Sequence, residues 1–190
     1  MSAEKSRQQT RWGARQLAIM ALLGALGAVL SFIPIPIFPP AAVFGITYEP
    51  TNIPAIIGGL AFGPVAGVII GVVSSVIHGF FVADVVGTVM NCIVVVAFVV
   101  PTCLIYQRGK TTTSLLIGLL VGSLVSVAFI IPANLVVWPL YYGLPFDETV
   151  TYIVPIMLPF NLMKAGLNAL LSFILYKSLY KLIEGKQSRT

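Results

Sequence analysis

Charged residues are scarce in this chain. Of its 190 residues only 9% are charged and 58% are hydrophobic, and the mean hydropathy is +1.00. Soluble chains are about a quarter charged, and a soluble domain of this length leaves about 30% of its unfolded surface in water. This composition excludes a soluble domain, a disulfide scaffold, a disordered tail and a coiled coil. The sequence therefore predicts an integral membrane protein.

The sequence also lacks the residues that catalytic and metal sites require. Its two cysteines, Cys92 and Cys103, lie in apolar stretches, which argues against a structural disulfide or a metal site. It contains no Walker-type phosphate loop, no His-Glu-x-x-His, no Gly-x-Ser-x-Gly and no paired-cysteine motif. We therefore expect no enzyme, no cofactor and no ATPase site, so active transport would need an ion gradient or a separate motor.

All lysines and arginines except Lys164 cluster in three places. They are the N-terminal tail (Lys5, Arg7, Arg11, Arg15), a mid-chain break (Arg108, Lys110) and the C-terminal region (Lys177, Lys181, Lys186, Arg189). Because short loops rich in Lys and Arg stay in the cytoplasm, all three should share that side of the membrane, with both termini cytoplasmic. The net charge of +5 is then a topological signal that could add attraction to anionic lipid. No nucleic-acid partner is expected.

Five apolar runs are candidate membrane spans: 16–33, 53–81, 85–106, 114–137 and 152–182. Five crossings would place the termini on opposite sides, against the charge pattern. Splitting the second run at Gly63 and Pro64, where proline disfavours a continuous helix, gives six crossings and restores agreement. A simple kink is the alternative. The first half, 53–62, is too short to cross a ~30 Å core unassisted, so neighbours must shield it or it must begin earlier.

The predicted fold class is thus an all-α integral membrane protein with six transmembrane helices in a single domain, 1–190. Residues 1–15 and 183–190 are predicted to be cytoplasmic tails, and residues 108–113 a cytoplasmic loop. Residues 34–52, called the lid loop below, are rich in proline and unusually apolar for an outer loop, and their prolines argue against regular helix. Side chains such as Ile35, Phe38 and Phe44 are costly to expose. We expect this loop to fold back as a lid over a binding cavity, with packing on the outer leaflet as the alternative.

Small residues recur at helical spacing in the first span, at Ala14, Ala18, Ala21 and Ala25. Small side chains let helix backbones approach closely in lipid. Gly67 with Gly71, and Gly118 with Gly122, repeat this spacing in later spans. Such faces serve either internal packing or contact with a partner subunit.

A few polar side chains fall inside the apolar spans, where an unpartnered polar group is costly. They are Asn91, Asn134, Asn161 and Lys164, and the six-span topology places all four in the outer half of the membrane. Aromatic residues lie nearby in the sequence, among them Trp138, Tyr141, Tyr142 and Tyr152, together with Tyr48 and Glu49 of the lid loop. This set would suit a flat, hydrogen-bonding small molecule captured from outside. For the aromatic residues an interfacial aromatic belt is the alternative. For Lys164 we expect a ligand or ion-pair role.

His78 and Asp84 could form a proton relay, although residues 79–81 between them resemble an outer loop. A second hypothesis is therefore a stand-alone proton-coupled carrier that uses Asp84, His78 or Glu49. An intramembrane enzyme is a third, but the sequence offers no convincing nucleophile or metal set for it.

Several short motifs, in order, carry a family resemblance. They are Ala-x-x-Ala-Leu-Leu-Gly-Ala-Leu at 18–26, Asn-Ile-Pro-Ala-Ile-Ile-Gly-Gly-Leu-Ala-Phe-Gly-Pro-Val-Ala-Gly at 52–67, Gly-Thr-Val-Met-Asn at 87–91, Pro-Leu-Tyr-Tyr-Gly at 139–143 and Leu-Pro-Phe-Asn-Leu-Met-Lys-Ala-Gly at 158–166. With the proline-rich loop, they make nearly the whole chain resemble the S component of energy-coupling factor (ECF) vitamin transporters, and most of all its riboflavin-binding type. A difference is Ile-Thr-Tyr-Glu at 46–49, where riboflavin-type loops often have Leu-x-Phe-Asp.

The resemblance implies a six-helix subunit of the bacterial cell membrane that binds a vitamin under its first outer loop. Riboflavin is the expected vitamin, and folate, pantothenate or cobalamin are alternatives. It also implies two kinds of partner, a transmembrane coupling (T) subunit and two ABC-type ATPases, whose action topples the S component in the membrane. By position, the family's ligand contacts correspond to Thr47, Glu49, Asn91, Asn134, Asn161 and Lys164, and its partner face to Ala14, Ala18, Ala21 and Ala25.

Overall fold

The computed structural model of the chain describes residues 12–143 and 145–184. The helices are α1 (Ala14–Leu30), α2 (Pro39–Ala42), α3 (Asn52–Phe62), α4 (Pro64–Val82), α5 (Val85–Gly109), α6 (Thr112–Tyr142), α7 (Phe146–Tyr152) and α8 (Leu158–Glu184). A π-helical turn, Ile153–Met157, joins α7 to α8. The tail predictions for residues 1–11 and 185–190 lie outside the described residues.

The predicted all-helical membrane fold is confirmed. In the part of the chain that the structure describes, four helical segments are long and apolar enough to cross a membrane: α4, α5, α6 and the continuous segment from α7 to α8. The other two predicted spans are shorter apolar helices, α1 and α3. The bundle therefore consists of the six expected segments, two of which are short.

The second apolar run is two helices, as the charge pattern predicts, so a simple kink is wrong. Gly63 lies between α3 and α4 with a φ of 101°, a conformation that glycine adopts without strain. Pro64 follows as the first residue of α4, where its missing N–H costs nothing. The short α3 is shielded by its neighbours, because every residue from 51 to 60 is buried.

The helix directions give the bundle two chemically different ends. At one, called the basic end below, the hydroxyls of Tyr106 on α5 and Tyr176 on α8 are 2.9 Å apart. The cations at this end with described side chains are Arg15, Arg108, Lys110 and Lys177. The opposite end, called the lid end, carries the lid loop and the carboxylates Glu49, Asp84, Asp147 and Glu148.

Small residues bring the helices into close contact inside the bundle. A Cβ on Gly67 would stand 2.7 Å from the Ala55 carbonyl oxygen of α3, and one on Gly118 would stand 2.7 Å from the Thr102 carbonyl oxygen of α5. On α1, the glycine side faces inward, where the Ser74 hydroxyl donates to the Gly24 carbonyl over 2.9 Å. The alanine side of α1 is different: Ala14, Ala18, Ala21 and Ala25 are exposed. The small residues of α1 therefore form one packed face and one open face.

Three local predictions are wrong. The lid loop contains the one-turn helix α2, which Pro39 can begin because proline suits the first helical position. The stretch predicted as an outer loop, 79–81, belongs to α4, which ends only at the left-handed residue Ala83 (φ 56°). Helix α6 continues five residues past the predicted end at 137, with Pro132 and Pro139 inside it.

Candidate functional site

A cavity of about 210 Å³ lies at the lid end, between the lid loop and helices α4, α5, α6 and α8. All six residues proposed as substrate contacts line it: Thr47, Glu49, Asn91, Asn134, Asn161 and Lys164. They come from four separate elements of the chain. The structure thus brings together side chains up to 117 positions apart in the sequence, from Thr47 to Lys164.

Lys164 lies on the inner wall of the cavity, on α8. Its ammonium donates to the Asn91 amide oxygen of α5 over 3.5 Å, a long and therefore weak hydrogen bond. Asn161 is one turn earlier on the same helix and lines the same cavity. An ammonium held this loosely can be reoriented towards a ligand acceptor with little loss.

The two other amides are oriented by their own helices. Asn134 donates its amide N–H to the Ile130 carbonyl, and Asn161 donates to the Met157 carbonyl, each over 2.9 Å. These bonds fix the two side chains, and each amide oxygen stays able to accept a further hydrogen bond. A polar small molecule in the cavity would meet prepared acceptors on α6 and α8.

Aromatic side chains close the cavity beneath the lid loop. The Phe44 ring of the loop packs 5.5 Å from the Trp138 ring and 5.4 Å from the Tyr152 ring. Trp138 and Tyr141 also line the cavity. The Phe44 contacts therefore hold the lid loop against the helices beside the cavity.

Tyr48 anchors the lid loop to the interior. Its backbone exchanges two hydrogen bonds with Ile35, of 2.8 and 2.9 Å, which pin the two strands of the loop together. Its hydroxyl donates to the Asn168 amide oxygen of α8 over 3.0 Å. Burial raises the pKa of Tyr48 to about 12, so the phenol keeps its proton and remains a donor.

Glu49 is the acidic residue that the lid loop contributes to the cavity. Burial raises the pKa of its carboxyl above the ordinary value, while Lys164 and His78 lower it and Asp84 raises it further. The carboxyl therefore binds its proton more tightly than a solvated glutamate does. Glu49 and Lys164 place opposite charges on the lid loop and on the inner wall of one cavity.

His78 and Asp84 both line the cavity, but the geometry does not join them in a relay. The Asp84 carboxylate caps α5, because it accepts the Gly87 backbone N–H over 2.8 Å. The His78 ring packs 5.2 Å from the Phe32 ring, and its buried Nδ1 has no hydrogen-bond partner within the described chain. Asp84 thus has a structural role that the sequence reading missed.

Sequence reasoning also missed Asn168, which accepts the Tyr48 hydrogen bond, and the apolar walls that Met90 and Phe160 add to the cavity. Asn168 could have been found, because it is a polar residue in an apolar span and lies two turns after Asn161 on the same helix face. Met90 and Phe160 give no such signal, because apolar residues are the rule in these spans.

Comparisons with known proteins agree with this architecture. The riboflavin transporter RibU of Staphylococcus aureus (strain TCH60) is 28% identical over 174 residues, which cover 87% of this chain and 90% of that protein. The riboflavin transporter FmnP of Bacillus subtilis (strain 168) is 26% identical over 187 residues, covering 92% and 96%. A solved structure of the S component of a bacterial ECF transporter superposes with a TM-score of 0.75 at 26% identity, over 90% of this chain and 98% of that one.

The family model for the substrate-specific component of ECF transporters matches residues 15–176. This range includes every residue that lines the cavity. The chain belongs to that family, and it is a multi-pass membrane subunit that binds a substrate for transport and has no catalytic activity of its own.

Proposed function

We propose that this S component binds riboflavin in the cavity at the lid end. The observation that carries the proposal is the convergence of six polar residues and an aromatic wall in one cavity under the lid loop. Two riboflavin transporters, at 28% and 26% identity over nearly the whole chain, support the same ligand.

The chemistry of the cavity fits a flat ring system with polar edges. Trp138 and Tyr141 offer aromatic surface for such a ring. Asn91, Asn134 and Asn161 offer amides for its carbonyl and N–H groups, and Lys164 offers a cation to an oxygen or nitrogen acceptor. Glu49 and Thr47 approach from the lid loop, so a ligand would be held on both sides.

Purified protein tests the ligand directly. We expect a yellow preparation with flavin absorbance bands, and quenching of riboflavin fluorescence on titration of stripped protein with a stoichiometry of one to one. A colourless protein that binds folate, pantothenate or cobalamin, and leaves riboflavin fluorescence unchanged, would replace riboflavin with that vitamin.

We further propose that the chain works with a transmembrane coupling subunit and two ABC-type ATPases, which topple it in the membrane to release the vitamin inside. In proteoliposomes we expect the chain alone to bind vitamin but not to accumulate it. Accumulation should need the coupling subunit, both ATPases and ATP. Accumulation driven by a proton gradient with the chain alone would instead establish the stand-alone carrier.

The open face of α1 is the proposed contact with the coupling subunit. Ala21 and Ala25 are exposed on this face, so a tryptophan there would not disturb the bundle but would block a close helix approach. We expect Ala21→Trp and Ala25→Trp to keep ligand binding and to lose co-purification with the coupling subunit. Ala128→Trp, an exposed alanine on α6, is the matched control and should keep both. Normal assembly of both α1 variants would refute this face.

A further inference from the structure

An apolar groove of about 370 Å³ runs between α6 and α8, away from the candidate substrate cavity. Its rims are leucines that remain about half exposed, such as Leu120 at 61% and Leu170 at 55%. Small residues, Ala165, Gly166 and Ala169, lie along its α8 side. A Cβ on Gly166 would meet no atom within 4 Å, so the space beside this glycine is open.

A second cavity, of about 510 Å³, adjoins this groove at the basic end. It is lined by Lys110 and Lys177, by the hydroxyl residues Thr111 and Thr112, and by the tyrosine pair of α5 and α8. Phe173 lines both the cavity and the groove, so the two spaces are neighbours on α8. No carboxylate of the described residues lines the basic cavity, so its two ammonium groups would carry a net positive charge.

The dimensions match one leaflet of a bilayer. From Phe173 to Leu162 the groove follows α8 for about 16 Å, which is half of a ~30 Å hydrocarbon core. It begins next to the basic cavity, where the helices reach the interface. An occupant of the combined space would therefore need an anionic, hydrogen-bonding head and an apolar tail one leaflet long.

We infer that an anionic phospholipid binds here, with its phosphate between Lys110 and Lys177 and one acyl chain in the groove between α6 and α8. Basic pockets between membrane helices are known to hold anionic headgroups, and the lysines supply the charge complementarity. The site lies at the opposite end of the bundle from the candidate substrate cavity, so it does not depend on which vitamin the protein binds.

Native mass spectrometry of the full chain, released from mixed micelles of phosphatidylglycerol and phosphatidylcholine, tests the site. We expect preferential retention of one phosphatidylglycerol. Lys110→Ala and Lys177→Ala should each lower that preference about fivefold, the effect of losing one interfacial cation. Arg15→Ala removes an exposed cation at the same end but outside the cavity, and should leave the preference unchanged. An equal loss in Arg15→Ala would show general surface attraction and overturn the site.

A second pair of variants tests the groove. Gly166→Leu should fill it and lower retention of both lipids, whereas Val96→Leu, at an exposed position on α5 outside the groove, should not. Melting temperatures of both variants should match that of the original chain. Undiminished lipid retention in Gly166→Leu would overturn the proposal.

A competition experiment distinguishes a bound lipid from a bound free anion. Inorganic phosphate at millimolar concentration should not displace the retained phosphatidylglycerol, because phosphate lacks the tail. Displacement would assign the lysines to a soluble anion and overturn the proposal. If a helix of the coupling subunit fills the groove in the assembled complex and no lipid is bound there, the lipid proposal is also overturned.

Discussion

Lys164 is the residue on which the site depends most. Every other cation with a described side chain lies at the basic end, and Lys164 alone lines the lid-end cavity. A charge in an apolar span is costly unless it is partnered. Its partners, the Asn91 amide and the Glu49 charge, are exposed to the same cavity that a ligand would fill. We therefore expect a ligand in this cavity to reach the Lys164 ammonium and both of its partners.

Removal of one polar contact should weaken binding without unfolding the protein. We expect Lys164→Ala and Asn134→Ala each to weaken riboflavin binding by about 1–3 kcal/mol, the value of one buried hydrogen bond and its unpaired partner. Fluorescence titration measures this as roughly a 5- to 150-fold rise in Kd. Arg108→Ala, which removes an exposed cation at the basic end, is the control and should bind normally. Unchanged affinity in both site variants would remove these residues from the site.

The hydrogen bond from Tyr48 to Asn168 should stabilise the folded protein. Tyr48→Phe leaves the buried Asn168 amide oxygen without its donor, so we expect destabilisation of about 1–3 kcal/mol and a lower melting temperature in detergent. Tyr48→Phe combined with Asn168→Leu should cost less than the sum of the two single changes, because the double variant leaves no orphaned partner. Strict additivity in this cycle would show that the hydroxyl contributes no such bond.

Lys164 and Tyr48 differ in how easily the sequence shows their roles. Lys164 and the asparagines are visible because polar groups are rare in apolar spans. The contact between Tyr48 and Asn168 joins positions 120 residues apart, and a tyrosine in an outer loop resembles any interfacial aromatic residue. Its insertion into the bundle follows from the fold of the lid loop, which no local pattern encodes.

At the scale of elements, breaks in helices are predictable where proline and glycine coincide. Gly63 and Pro64 mark the α3–α4 boundary, and charge parity excludes a kink. The π-helical turn Ile153–Met157 has a weaker signal: Pro155 and Pro159 each remove a backbone donor from the ladder. The sequence gives no signal for the end of α6, because Trp138 and Tyr141 are as common at a helix end as in an interfacial loop.

The close contact between α3 and α4 at Gly67 predicts how a larger side chain there would change stability. Gly67→Ala would push a methyl group against the Ala55 carbonyl oxygen and the Gly59 backbone of α3, both 2.7 Å from the added Cβ. We expect a loss of about 1–3 kcal/mol from overpacking and a lower melting temperature. Gly166→Ala, at a helical glycine with open space around it, is the matched control and should be neutral or gain up to about 1 kcal/mol of helix propensity. Equal effects at both positions would show that propensity, and not contact, decides.

At the scale of the whole molecule, the charges are sorted along one axis. The basic end collects Arg15, Arg108, Lys110 and Lys177, and the lid end collects four carboxylates. The cation clusters could be read from the sequence because they interrupt apolar runs. The gathering of the carboxylates at the lid end could not, because it depends on where α4 and α6 end. The proposed substrate cavity and the proposed lipid site therefore lie at opposite ends of one small bundle.

This sorting predicts the orientation of the chain in the membrane. Because cation-rich segments stay in the cytoplasm, the basic end should face inward and the lid end outward. The test uses a background with Cys92→Ala and Cys103→Ala, to which Arg108→Cys or Glu148→Cys is added at an exposed position of each end. A membrane-impermeant maleimide should label Glu148→Cys in right-side-out vesicles and Arg108→Cys only in inverted ones. Arg15→Cys should follow Arg108→Cys, because both lie at the basic end. Labelling of Arg108→Cys and Glu148→Cys from the same side would break the six-segment topology, and with it the outward-facing cavity.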